Sequence, residues 1–227
     1  VYSVGRPKGT PFGSPQEDSL GSEPQSGVLI LYSGHTTGGT LRAGDDAQEV
    51  RTFAPDELPP DDKIAFRTHL QALQEWRRAR AIAYRSATVA DKAAVAELCQ
   101  RFPSVGEQCP EYVSAQGRGL LLAWDRDQLV GVACLSLRPW NRSANIDQVF
   151  VHPDYRRWGI ATRLVGQAID YARGLEVRTL LAEAPVTNPV LLVYLKIGFR
   201  VGGFIDAYYP PGEERPVTAL FLAYDLS

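Results

Sequence analysis

Residues 145–161 read Asn-Ile-Asp-Gln-Val-Phe-Val-His-Pro-Asp-Tyr-Arg-Arg-Trp-Gly-Ile-Ala and hold the densest chemistry in the chain. An apolar strand meets a Pro-Asp turn, and an Arg156-x-x-Gly159-x-Ala161 loop then opens a helix. Backbone N–H groups at such a loop and helix start face one spot and can hold a diphosphate. Gly159 and the small Ala161 let that backbone approach phosphate oxygens closely. Asp147 stands two positions before Val149, so strand alternation predicts both side chains on one face. Glu183 ends the next apolar run. Either carboxylate can take a proton from an amine, or simply hold a structural hydrogen bond. His152 precedes Pro153 and marks a strand end, while His35 and His69 have no partner at metal-ligand spacing. No metal site is predicted.

Regular elements must hold these groups in place. Thr88-x-x-Asp91 reads as a capping box with Asp in place of Glu, opening a helix to about Phe102 with Val95, Leu98 and Phe102 inward. Strands at Gly119–Trp124 and Gln128–Leu137 flank an Asp125-Arg126-Asp127 turn. Asn145–His152 is the central strand. Ala161, Leu164, Val165, Ala168, Ile169 and Ala172 then recur at helical spacing. Arg178–Ala182 is a strand, Asn188–Lys196 a short helix, and Phe199–Tyr208 with Val217–Tyr224 a closing pair. This order predicts an α/β (α+β) fold, a mixed sheet with helices on both faces.

Upstream, residues 1–27 are rich in Gly, Pro and Ser and read as a flexible arm. Strands are predicted at Val28–Tyr32 and Glu49–Phe53, a turn at Gly38-Gly39, and a helix over 63–80 whose Arg77, Arg78 and Arg80 suit its C-terminus.

Of the 227 residues, 24 are basic and 26 acidic, so no broad nucleic-acid-binding surface is implied. Cys99, Cys109 and Cys134 include no Cys-x-x-Cys pair and read as buried small hydrophobes in a reducing compartment. No apolar run approaches the roughly 20 residues that span a bilayer, and no signal peptide is visible. The expectation is a cytoplasmic protein with neither membrane nor nucleic-acid partner. The chain holds no Met, so Val1 reads as the front of a fragment or a non-standard start.

The series Val149–Val151, Arg156-x-x-Gly159-x-Ala161, Asn188, Tyr194 and Gly198-Phe199 resembles the GCN5-related N-acetyltransferase (GNAT) family across residues 84–227. The resemblance implies acetyl-CoA as cosubstrate, a primary-amine acceptor and no metal. On that pattern Arg156, Arg157, Trp158, Gly159, Ile160, Ala161 and Thr162 line the pyrophosphate. Val149, Phe150 and Val151 pair with the pantetheine arm, and an N–H near Val149 meets the thioester oxygen. Asn188 reaches the pantetheine amide or else caps a helix. Tyr194 falls where the family places a general acid, a phenol of reference pKa about 10, or else packs into the core. Asp147 or Glu183 then serves as base, the amine attacking directly with no acyl-enzyme. The tail through Tyr208-Tyr209-Pro210 is similar to streptothricin acetyltransferases and to acetyltransferases of ribosomal-protein N-termini. A homodimer stays open.

Residues 1–83 resemble the C-terminal half of a Nudix hydrolase domain, through Gly38-Gly39-Thr40-Leu41, Asp45–Val50 and Phe53–Pro59. The Glu-rich box that binds Mg²⁺ in that family has no counterpart here, so this partial Nudix-like segment is expected to lack its chemistry. Two alternatives to the transferase follow: a Nudix-type pyrophosphatase fused to it with its catalytic half missing, and a non-catalytic acyl-CoA sensor.

Overall fold

A computed structural model of the chain describes residues 37–43, 49–54, 56–64, 67–209 and 217–226. The chain divides into two units between Arg80 and Ala81. In the first, the described elements are a 3-10 turn at Asp61–Lys63 and helix α1 (Arg67–Ala81). The predicted helix over 63–80 is therefore present, starting later, with Arg78 and Arg80 in its last turn. Gln74 Nε2 donates to Asp61 Oδ2 at 2.8 Å and ties the helix to the turn before it. The strand expected at Glu49–Phe53 is absent: those residues form no ladder, and no described segment pairs with them. The arm at 1–27, the Val28–Tyr32 strand and Asp45–Gln48 lie outside the described residues. No sheet in the described part of this unit supports the Nudix-like reading.

The second unit follows the predicted order. Its elements are β1 (Ala83–Ser86), α2 (Lys92–Arg101), β2 (Arg118–Asp125), β3 (Gln128–Arg138), β4 (Ser143–Val151), α3 (Ile160–Gly174), β5 (Thr179–Pro185), α4 (Val190–Ile197), β6 (Arg200–Tyr209) and β7 (Val217–Asp225). The seven strands form one sheet in the order β1-β2-β3-β4-β5-β7-β6. Only β4 and β5 run parallel, which requires the crossover that α3 supplies.

Local chemistry sets several of these boundaries. The predicted capping box is formed: Thr88 N–H and Oγ1 donate to Asp91 Oδ2 at 2.7 and 2.9 Å. Arg85 grips the same carboxylate with both guanidinium nitrogens, at 2.7 and 2.6 Å, locking β1 to the start of α2. Arg126 takes a positive φ of 52° in the tight turn joining β2 to β3.

Alternation along β2 sorts the core into two layers. Leu121 and Ala123 face one side with α3, while Leu120, Leu122 and Trp124 face the other with α2. The predicted apolar stripe of α3 is buried from Leu164 to Ala172, with Ile160 rather than the half-buried Ala161 as its first inward residue. Gly131 lets that helix sit down on β3, since a Cβ there would lie 3.2 Å from both Ile160 and Leu164. The start of α3 is thereby fixed beside the end of β4. No helix among the described residues is long and apolar enough to cross a membrane.

Candidate active site

The parallel ladder between β4 and β5 is short. Ser143 to Ile146 pair with Thr179 to Ala182, and there the pairing stops. Beyond that point β4 stays bonded to β3 and β5 to β7, so their facing edges are left open. The first residues past the last pair are Asp147 on one strand and Glu183 on the other. Two carboxylates thus stand at the same register position where the central strands part.

A bulge sits at this point. Cys134 pairs with Gln148 and Leu135 with Ile146, so Asp147 is skipped in the ladder to β3. An extra residue reverses the in/out phase of everything after it. Ala144 and Ile146 face the α3 layer, and beyond the bulge Val149 and Val151 face it too. Asp147 points the other way, toward the layer of Cys109–Val113, and Phe150 is buried in that layer. The expectation that Asp147 and Val149 share a face is therefore corrected. Glu183 lies between Ala182 and Ala184, which both face α3, so its side chain shares the face of Asp147.

The two carboxylates differ in how much of their capacity is used. Asp147 accepts from Tyr112 Oη at 2.8 Å, Ser136 Oγ at 2.9 Å and Asn145 Nδ2 at 2.7 Å. Arg118 stands 3.7 Å away. Glu183 accepts from Tyr208 Oη at 3.3 Å. Burial, and then the nearby Glu183, push the Tyr209 phenol up to about 12. With the Tyr208 and Tyr209 phenols against it, Glu183 is the less engaged of the two carboxylates.

The open edge of β4 carries peptide groups of known direction. His152 N–H donates to Val130 O at 2.8 Å, so alternate residues send theirs to β3. The peptide groups of Val149 and Val151 then point into the gap. Arg156 Nε confirms the phase by donating to Val151 O at 3.3 Å from outside the sheet. Downstream, Arg157 and Gly159 adopt positive φ of 66° and 79°, and α3 begins. The first helical bond runs from Arg163 N–H to Gly159 O, so the N–H groups of Ile160, Ala161 and Thr162 have no partner within the helix. A Cβ added at Gly159 would meet nothing within 4 Å. This open cradle of unpaired donors fits an anionic phosphate ester.

The remaining predicted residues fall as follows. Tyr194 is buried, its ring 5.1 Å from that of Phe199, and burial raises its phenol well above the usual range. Asn188 Oδ1 accepts from Val190 N–H at 3.0 Å, the capping role, while its Nδ2 makes no such bond among the described residues. Trp158 is half buried, its ring tilted against that of Tyr155 at 5.0 Å. Sequence reasoning missed Tyr112, Ser136 and Arg118, which reach Asp147 from separate elements. It read Cys109 and Cys134 only as buried small hydrophobes, yet they line a cavity of about 380 Å³ with Asp147. A larger cavity of about 530 Å³, between α2 and the β2–β3 turn, touches neither carboxylate. Among the described residues no group of three or more His, Cys, Asp or Glu is arranged to hold a metal ion.

A mixed sheet whose two parallel strands part beside a helix start with N–H groups unpaired within the helix is the arrangement this chain shares with a known fold family. The chain belongs to the acetyltransferase (GNAT) family, whose model matches residues 70–199. Human cysteine-rich protein 2-binding protein is 41% identical over 83 residues, 35% of this chain and 10% of that protein. Streptothricin acetyltransferase of Streptomyces lavendulae is 29% identical over 121 residues, 53% of this chain and 64% of that protein. The chain thus spans about a tenth of the human relative and under two thirds of the bacterial one. Among solved structures, the ribosomal-protein-S18-alanine N-acetyltransferase of Escherichia coli matches with a TM-score of 0.56 at 22% identity, covering 64% of this chain and 94% of that one. The yncA protein of Salmonella typhimurium, solved with acetyl-CoA, gives 0.56 at 19%, covering 65% and 95%. At these identities the structural likeness is one of fold.

Proposed function

We propose that residues 84–227 form an acetyl-CoA-dependent N-acetyltransferase domain acting on a primary amine. The observation that carries this reading is the parting of β4 from β5 at Asp147 and Glu183, continuous with the Gly159 cradle. Bound acetyl-CoA supplies an acetyl group already activated as a thioester. Ile160, Ala161 and Thr162 offer N–H groups to its pyrophosphate, with Arg156, Arg157 and Trp158 around them. The open edge of Val149–Val151, with Phe150 buried behind it, takes the pantetheine arm as a further strand, and Asn188 Nδ2 is free to meet it. Val149 N–H, aimed into the gap, stabilises charge on the carbonyl oxygen.

Glu183 takes the proton of the amine, directly or through water, because its oxygens are the less engaged. Asp147, held by three donors, orients the acceptor side of the gap. Tyr194 keeps its proton at neutral pH because burial disfavours the phenolate, so it can return one to the departing sulfur. An N-terminal amine, reference pKa about 8, asks less of the base than a lysine at about 10.4. The acceptor is a small amine of the streptothricin kind or a protein N-terminus, in keeping with the relatives above.

Thiol release from acetyl-CoA, followed with the purified chain and a panel of streptothricin-type amines, polyamines and peptides with free N-termini, tests this. Amine-dependent release supports it. Tight coenzyme binding with no turnover on any amine would point to an acyl-CoA sensor, and no binding would remove both.

A further inference from the structure

The three cysteines of the chain converge on one spot. Cys99 on α2, Cys109 at the head of the 3-10 turn Cys109–Val113, and Cys134 on β3 are all buried. Cys109 Sγ lies 2.9 Å from Cys134 Sγ. A disulfide is about 2.05 Å long, so closing one here moves the sulfurs by under about 1 Å. The pair also has access, since both line the cavity that holds Tyr112, Asp147 and Gln148.

We propose that Cys109 and Cys134 are a reversible disulfide site, closed by a hydroperoxide and opened by a small thiol, that reshapes the cavity beside Asp147. The electrostatics favour Cys109 as the attacking sulfur. The hydrogen bond with Cys134 first, helped by Cys99 and opposed by burial, holds it below the ordinary thiol range. Cys134, as donor and deeply buried, is raised, and burial pushes Cys99 up to about 11. The Cys109 thiolate attacks one peroxide oxygen, the O–O bond breaks, and the other oxygen takes up a proton and departs as water from hydrogen peroxide, or as an alcohol from an organic hydroperoxide. Cys134 then attacks the sulfenic sulfur of Cys109, forming the S–S bond, and a second water leaves with the Cys134 proton. Two thiols lose two electrons and one peroxide gains them. Two equivalents of a small thiol reverse the change and become its disulfide.

The bond would act on the site through short links. Tyr112 lies on the same turn as Cys109 and donates to Asp147, and Cys134 pairs with Gln148 across the bulge that frees Asp147. Drawing Cys109 toward the sheet shifts Tyr112 and narrows the acceptor side. This effect on turnover rests on the N-acetyltransferase reading; the bond itself does not.

The test treats the full chain with hydrogen peroxide at one to five equivalents. Free thiols should fall from three to one, with peptide mapping joining Cys109 to Cys134, and dithiothreitol should restore all three. Cys99→Ala should still form the bond and Cys109→Ser should not, with Cys134→Ser as the second block if that variant fails to fold. With an amine substrate in hand, oxidation should raise its KM at least about threefold and leave the KM for acetyl-CoA unchanged. Three thiols persisting, or a link made through Cys99, would overturn the site. A Cys109–Cys134 bond with unaltered amine KM would overturn its effect on the cavity. Absence of any turnover, with the bond formed, would count against the proposed activity alone.

Discussion

Replacing Gly159 by alanine separates a structural glycine from a ligand-facing one. The backbone there has φ 79°, where an L-residue costs about 1–2 kcal/mol. The new Cβ meets nothing within 4 Å, so no clash adds to that cost. Stability should therefore fall by about 1 kcal/mol, read as a lower urea midpoint at unchanged m. Affinity for coenzyme A has no reason to change unless the ligand fills the space the Cβ enters. If the N–H groups of Ile160 to Thr162 hold a diphosphate, the methyl displaces it from at least one charged hydrogen bond worth about 1.5–3 kcal/mol. That corresponds to a rise in Kd of roughly 10- to 150-fold. Gly159→Glu, adding a carboxylate against phosphate, should abolish binding. Gly166→Ala is the control: this glycine is inside α3 with open space around it, and alanine should stabilise by about 0.5–1 kcal/mol without touching Kd. Calorimetric titration with coenzyme A gives the answer. A Gly159→Ala protein that loses stability as expected yet binds within twofold of wild type would show that the cradle is not the diphosphate site.

Other expectations follow from the same geometry. Glu183→Gln should lower kcat by about 100-fold or more, whereas Asp147→Asn should cost nearer tenfold; the reverse order in a steady-state comparison would exchange their roles. Tyr194→Phe conserves volume, so melting should register a change under about 1 kcal/mol while kcat falls about 100-fold and coenzyme affinity holds. Wild-type turnover would end its candidacy as the acid. Asp91→Asn should destabilise by about 2 kcal/mol at pH 7, moderated because Arg85 is half exposed and rehydrates. The Asp91 carboxyl is held below its usual range, by Arg85 first, with Thr88 adding to it. A depressed folded pKa gives stability that is complete above the unfolded value of about 3.9 and fades as pH falls below it. The gap between wild type and variant in urea should accordingly narrow from pH 5 to pH 2, and a gap constant across that range would refute the assignment.

Much of the second unit was legible because its local rules agree with its global fold. The stripe from Ile160 to Ala172 buries as one face, and Thr88 and Asp91 close the box their spacing requires. The turn after Asp125 reverses the chain where polar residues interrupt two apolar runs. The loop at Gly159 was legible for a different reason, since a left-handed backbone position before a helix selects for glycine. The strand expected at Glu49–Phe53 failed because a strand is defined by its neighbour, and alternation alone does not supply one.

Convergence from distant segments was not legible. Cys109 and Cys134 touch only because the turn Cys109–Val113 packs over β3, and Tyr112, Ser136 and Arg118 reach Asp147 from three separate places. The bulge is a subtler case, because its trace was in the sequence. Along β4 the residues facing α3 are Ala144 and Ile146, then Val149 and Val151, so the apolar phase slips by one between Asp147 and Gln148. A regular strand cannot keep both pairs inward, since a one-residue shift carries every later side chain to the other face. Only an extra residue left out of the ladder reconciles them, and that residue is Asp147. Asp147, one step past the inward Ile146, already shares the face of Glu183; the slip turns Val149 away from it, and there the sheet begins to open.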